Sequence, residues 1–205
     1  DSDNVSDGLE INTYQSNPLS QDTDNDGVSD GDEVNIHLTN PASSDSDADG
    51  VSDYQEIVEL GSNPLSEDTD EDTLPDIWEV TYSLDINTDD TLDDADADGL
   101  NNLAEFENNT SPVLSDTDDD GLTDGAEVNT HTTNPTVADS DSDKLPDGWE
   151  IEYGFDPLSA DGANDEDGDE YTNLQEFYLK SDPTDASDIP QVKPWVTYQG
   201  NAAHS

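Results

Sequence analysis

The feature that leaves this chain the fewest options is a run of three aspartates two residues apart that closes, seven residues later, on a glutamate. In Asp22–Glu33, D-T-D-N-D-G-V-S-D-G-D-E, aspartates stand at positions 1, 3, 5 and 9 (Asp22, Asp24, Asp26, Asp30), Gly27 at 6 and Glu33 at 12. Carboxylates in that register converge, and at about 4–5 Å each pair repels by roughly 3–4 kcal/mol at an effective dielectric near 20. A cation reverses the sign. Hard oxygens in this number and spacing are the ligand set of Ca²⁺: carboxylates at 1, 3 and 5, the carbonyl of Val28 at 7, a side chain or bridging water at 9, and a bidentate glutamate at 12. Mg²⁺ demands tighter octahedral geometry, and all-oxygen ligation disfavours Zn²⁺. Gly27 admits the positive φ that turns the chain around the ion.

The frame recurs along the chain. It is entered part-way at the start, where Asp1, Asp3, Asp7 and Glu10 take positions 3, 5, 9 and 12, with Asn4 at 6 and Val5 at 7. Loop two is Asp22–Glu33, and loop three is Asp45, Asp47, Asp49, Gly50, Val51, Asp53 and Glu56. Loop four is Asp68, Asp70, Asp72, Leu74, Asp76 and Glu79; loop five is Asp94, Asp96, Asp98, Leu100, Asn102 and Glu105, with a neutral oxygen at 9. Loop six is Asp116, Asp118, Asp120, Leu122, Asp124 and Glu127; loop seven is Asp139, Asp141, Asp143, Leu145, Asp147 and Glu150. Loop eight is Asp165, Asp167, Asp169, Tyr171, Asn173 and Glu176. Thr73, Lys144 and Glu170 replace the position-6 glycine, so loops four, seven and eight are expected to bind more weakly or to turn differently.

The position-12 glutamates return at a short and nearly constant interval, the mark of a linear repeat array. A longer period is nested within it: one and the same step carries Glu56 onto Glu127, Glu79 onto Glu150 and Glu105 onto Glu176. L-P-D-I-W-E at 74–79 returns as L-P-D-G-W-E at 145–150, which points to an ancestral triplet of loops. Each connector holds an apolar residue at 13 and, except in 80–93, then Asn-Pro, Ser-Pro or Asp-Pro, a turn that stops any helix leaving the loop. Positions 9 and 12 also spell a capping box. Each repeat therefore reads as half an EF-hand: loop, one or two helical turns, turn, short extended return. The apolar residues at 7 and 13 and the tryptophans read as a packing seam between neighbouring repeats.

Fifty-five acidic residues stand against three Lys and Arg, a formal charge of -52, and only 29% of residues are apolar. Alone, that composition is the signature of disorder, and it cannot fill a globular core. Metal must do the stapling, since cysteine is absent. The fold class expected is an irregular repeat: eight EF-hand-like calcium loops in line over 1–188, short helical turns, little regular secondary structure and no globular core. Residues 189–205 change composition and read as a tail, a partnerless strand at Trp195–Tyr198 or the start of another domain. Nucleic acid and membrane insertion are disfavoured. The chain starts inside a motif without Met, as expected of a piece of a longer secreted protein.

The D-x-D-x-D-G-[VL]-x-D-x-x-E loops, N-P turns and L-P-D-x-W-E units resemble bacterial thrombospondin type 3 repeats. That resemblance implies calcium-wrapped rods in extracellular or cell-surface proteins, set between adhesive, catalytic or anchoring domains. The function expected is structural: a calcium-rigidified spacer or stalk, or the protomer of a head-to-tail fibre whose partner is another copy. The alternative is a calcium-dependent docking or adhesion module, for which the longer helices of dockerin-like domains are missing. No nucleophile with its base, phosphate loop or open transition-metal site can be assembled, so an enzyme is not expected.

Overall fold

Every repeat is folded by the same few backbone hydrogen bonds, and they explain why so apolar-poor a chain has regular structure. The computed structural model describes residues 2–189, so the readings of Asp1 as a ligand and of a strand in the tail lie outside the described residues. At the connector prolines a turn closes from Ser20 N to Asn17 O (2.9 Å), Ser43 N to Asn40 O (2.9 Å) and Val137 N to Asn134 O (2.9 Å). The loop then closes on itself. The position-9 N–H donates to the carbonyl just ahead of position 1: Asp30 to Gln21 (3.0 Å), Asp53 to Ser44 (3.1 Å), Asn102 to Asp93 (2.8 Å) and Asn173 to Asn164 (2.8 Å).

A short helix leaves each loop. In one class it is a single turn that widens, as Asp30–Asp32 into Glu33–His37 and Asp124–Ala126 into Glu127–His131. In the other it is a regular seven-residue helix: Asp76–Tyr82, Asn102–Asn108, Asp147–Tyr153 and Asn173–Leu179. Both classes end alike. The N–H five residues after the position-12 glutamate caps its carbonyl, as Leu38 does Glu33 (2.6 Å) and Leu84 does Glu79 (2.9 Å). A left-handed residue makes this possible, Leu38 in the first case and Ser83 in the second.

The capping box sits one residue earlier than the sequence suggests. Ser29, Asn101, Thr123 and Thr172, at position 8, accept from the N–H three residues on, and Gln175 at position 11 completes a full box with Thr172. The reason is that position 9 is already helical, so its side chain is not placed to cap and serves elsewhere.

The apolar seam is narrower than expected. Position 7 supplies the buried side chains Val28, Val51, Leu74, Leu100 and Leu145, joined by Ile86 from a longer connector. Position 13 is only half-buried, and Ile11 is exposed, because the helix turns that residue away from the loop. The tryptophans do span consecutive repeats: Trp78 meets Phe106 edge to face at 5.5 Å, and Trp149 meets Phe177 at 5.6 Å. The chain forms two compact units, Asp1–Ser115 with loops one to five and Asp116–Ser205 with loops six to eight. The boundary falls where the second triplet of loops begins. Among the described residues there is no strand, and no helix is long and apolar enough to cross a membrane.

Candidate metal centres

Each loop is wound by its own aspartates. The position-1 carboxylate accepts from the N–H groups at 4 or 5 and 6: Asp22 from Asn25 (2.7 Å) and Gly27 (3.2 Å), Asp165 from Gly168 (2.7 Å) and Glu170 (3.0 Å). Position 3 accepts from the N–H at 5, and position 5 from the N–H at 7, as in Asp24 with Asp26 (3.2 Å) and Asp26 with Val28 (2.7 Å). Carboxylate oxygens of positions 1, 3 and 5 thereby come within 4.8 Å of one another in loops two, three and four.

Two left-handed residues per loop make the winding possible, and only one was legible. Position 6 has positive φ throughout, from Gly27 (108°) to Thr73 (91°), Lys144 (86°) and Glu170 (81°). Loops four, seven and eight therefore do not turn differently; they make the same turn and carry its strain. Position 4 is left-handed as well, at Asn25 (64°), Ala48 (70°), Glu71 (64°) and Ser142 (68°), with glycine there only at Gly168. No residue preference marks it, because the aspartate at position 1 imposes the conformation.

Position 9 serves two neighbours. Asp30 Oδ1 accepts from Thr23 N (2.7 Å) and Oδ2 from the Thr23 hydroxyl (2.7 Å), which itself accepts from Asn17 N (2.8 Å). The same link runs from Asn40 through Ser46 to Asp53, and from Asn63 through Thr69 to Asp76. So the position-2 hydroxyl, which the sequence reading passed over, ties the connector turn to position 9. Asp30 also lies within 4.8 Å of Asp3 and Glu10, positions 5 and 12 of the loop before it. Position 9 thus reaches back across the junction of two repeats, beyond the role in its own loop that the spacing suggests.

The position-12 glutamates are the innermost groups. Glu10, Glu33, Glu56, Glu79, Glu105, Glu127, Glu150 and Glu176 are all completely buried. A connector hydroxyl reaches one oxygen of four of them: Thr39 to Glu33 (3.3 Å), Ser62 to Glu56 (3.4 Å), Thr133 to Glu127 (3.0 Å) and Ser181 to Glu176 (3.1 Å). Burial first, and the facing aspartates next, push Glu33, Glu56 and Glu79 up to about 8 and Glu150 to about 9.

Does this donor set fit a cation? Both carboxylate oxygens of Glu10, Glu79 and Glu150 are buried without a hydrogen-bond partner, as is Oδ2 of the position-3 residues Asp24, Asp47, Asp70, Asp141 and Asp167. Buried acceptors left unpaired cost about 1–3 kcal/mol each, and more when charged. Only three basic residues exist in the whole chain to offset them. Hard divalent cations would give these oxygens partners, and the all-oxygen set fits Ca²⁺.

Fold and loops together define a class: tandem half EF-hands whose acidic turns gather carboxylates into groups that could hold a cation. The family model for the bacterial TSP3 repeat matches residues 22–43, 45–67 and 116–138, which take in loops two, three and six. These three stretches are bacterial thrombospondin type 3 repeats, which are calcium-binding repeats. No curated protein matches. A solved structure described as "Biofilm associated protein - B domain" is 36% identical over a match covering 22% of this chain and 11% of that one, with a TM-score of 0.22. The match thus spans about a tenth of that protein's length.

Proposed function

We propose that this chain is an extracellular or cell-surface structural element, a spacer or stalk within a larger protein that calcium holds in shape. One observation carries the reading: eight glutamates are completely buried in a chain with three basic residues. Three basic residues are too few to balance that charge, so bound ions supply the attraction that a hydrophobic core supplies elsewhere. Millimolar calcium, which weaker oxygen-ligand modules need for saturation, is found outside cells. A head-to-tail fibre is one form such an element takes. The docking alternative draws no support from the helices, since no described helical stretch exceeds eight residues.

Calcium titration followed by electron microscopy with and without EDTA tests the proposal. Extended particles in calcium that lose their shape in EDTA are expected. An unchanged shape in EDTA refutes the structural role of the ions, and monomers alone in calcium remove the fibre.

A further inference from the structure

We propose that Asp90 and Asp161, which lie outside every loop, are cation ligands, each completing a second divalent-cation seat at the junction between two repeats. The inference rests on the calcium reading above and adds to it a site, its ligands and a reason for the longer connectors.

Asp3, Glu10 and Asp30 show what such a junction requires: positions 5 and 12 of one loop and the position-9 carboxylate of the next, with oxygens within 4.8 Å. Loops five and eight break the rule, because position 9 is Asn102 or Asn173. An amide supplies one neutral oxygen where a carboxylate is needed, yet the position-12 glutamates facing these junctions, Glu79 and Glu150, are completely buried with both oxygens unpartnered. The charge is restored from elsewhere. The stretches from Glu79 to Glu105 and from Glu150 to Glu176 are longer than those from Glu33 to Glu56 and from Glu56 to Glu79, and the extra chain carries Asp90 or Asp161.

The structure brings both aspartates back. Oxygens of Asp72, Glu79 and Asp90 lie within 4.8 Å of one another. Asp90 N donates to Asp72 Oδ2 at 3.3 Å, which fastens the connector to position 5 of the preceding loop. Asn102 then holds the newcomer: its Nδ2 donates to the Asp90 carbonyl at 3.0 Å and to Asp90 Oδ1 at 3.1 Å. Its own Oδ1 is buried without a partner. The second triplet repeats the arrangement at the equivalent junction. Gly162 N donates to Asp143 Oδ2, Asn173 Nδ2 donates to the Asp161 carbonyl at 3.2 Å, and Asp161 Oδ1 is buried and unpartnered.

So the change from Asp to Asn at position 9 is paired with an inserted aspartate, and the asparagine positions that aspartate. Asp72, Glu79 and Asp90, or Asp143, Glu150 and Asp161, each offer three carboxylates to one ion, an oxygen-only set suited to Ca²⁺.

Counting bound Ca²⁺ by native mass spectrometry tests this. Asp90→Asn and Asp161→Asn are each expected to bind one ion fewer than the parent chain, and the double variant two fewer. Asp85→Asn, on the same connector, is expected to keep the parent number. Adding Asn102→Asp to Asp90→Asn moves the carboxylate back to position 9 and is expected to restore the lost ion, which also shows that the single variant had not simply unfolded. A parent chain that binds calcium while Asp90→Asn binds the same number overturns the second seat and leaves the structural reading intact. A parent chain that binds none overturns both.

Discussion

Alanine at Gly148 puts the contact between consecutive repeats to a sharp test. Gly148 is at loop position 10, in the first turn of the helix Asp147–Tyr153. A Cβ there would stand 2.5 Å from the Asp120 carbonyl oxygen, 2.9 Å from Gly121 C and 3.0 Å from Leu122 N, all backbone of loop six. Relaxed contacts begin near about 3.5 Å, so loop six must retreat by most of an ångström. Overpacking of that kind costs about 1–3 kcal/mol, against about 1 kcal/mol gained by replacing a helical glycine. The net expectation is a loss of up to about 2 kcal/mol, and of about 1–3 kcal/mol relative to an alanine that meets no neighbour. Gly148 N also donates to Asp120 Oδ2 at 3.1 Å, so the retreat drags the position-5 carboxylate and is expected to raise the calcium concentration needed for folding. Gly8 occupies the same loop position with nothing within 4 Å, so Gly8→Ala keeps only the propensity gain. Thermal unfolding in calcium by circular dichroism, with a calcium titration read from the neighbouring Trp149, separates the two. A Gly148→Ala chain as stable as Gly8→Ala, with an unmoved calcium midpoint, would refute the idea that repeats hold each other through backbone contact.

Thr23→Val removes the hydroxyl between Asn17 N and Asp30 Oδ2 and should cost about 1–2 kcal/mol of thermal stability, whereas Thr23→Ser should cost little; equal losses would deny the link. Thr73→Gly relieves a residue held at φ 91° and should tighten calcium binding in loop four by about five- to tenfold, or roughly 1 kcal/mol, read by calorimetry. Without metal, Glu33, Glu56, Glu79 and Glu127 are raised from 4.5 to about 8 in the fold, so the folded form is the better proton binder. Its stability in EDTA is then fullest below 4.5 and is lost as the pH rises through about 8, and scattering should show a smaller radius at low pH than at high. With calcium the order reverses, because protons compete with the ion. A metal-free radius indifferent to pH contradicts the burial of these glutamates.

What the sequence made legible follows from what carries a residue preference. Aspartates at 1, 3 and 5 with glutamate at 12 can hardly be replaced, so the loops, their number and the turn at each proline could be read directly. The left-handed position 4 escaped, because Asn25, Ala48 and Glu71 share no property except the carboxylate that bends them. The hydroxyls at position 2 and in the connectors, such as Thr23 and Thr39, look like ordinary turn residues until their partners come into view. Asp90 lies in a connector crowded with other aspartates, well before Asn102 in loop five, and only the fold pairs them. Position 13 was overvalued for the opposite reason: its apolar character is regular, but the helix leaves Ile11 60% exposed.

The most direct measurement is small-angle scattering with far-ultraviolet circular dichroism on the same chain, in saturating calcium and then in EDTA, both at a pH above the values of about 8 to about 9 to which burial raises the glutamates. If ions are what hold these repeats, the helical signal should collapse and the radius should move to that of a strongly charged, unfolded chain, with full recovery when calcium returns. A metal-free chain that keeps its helices and unfolds cooperatively on heating would contradict it.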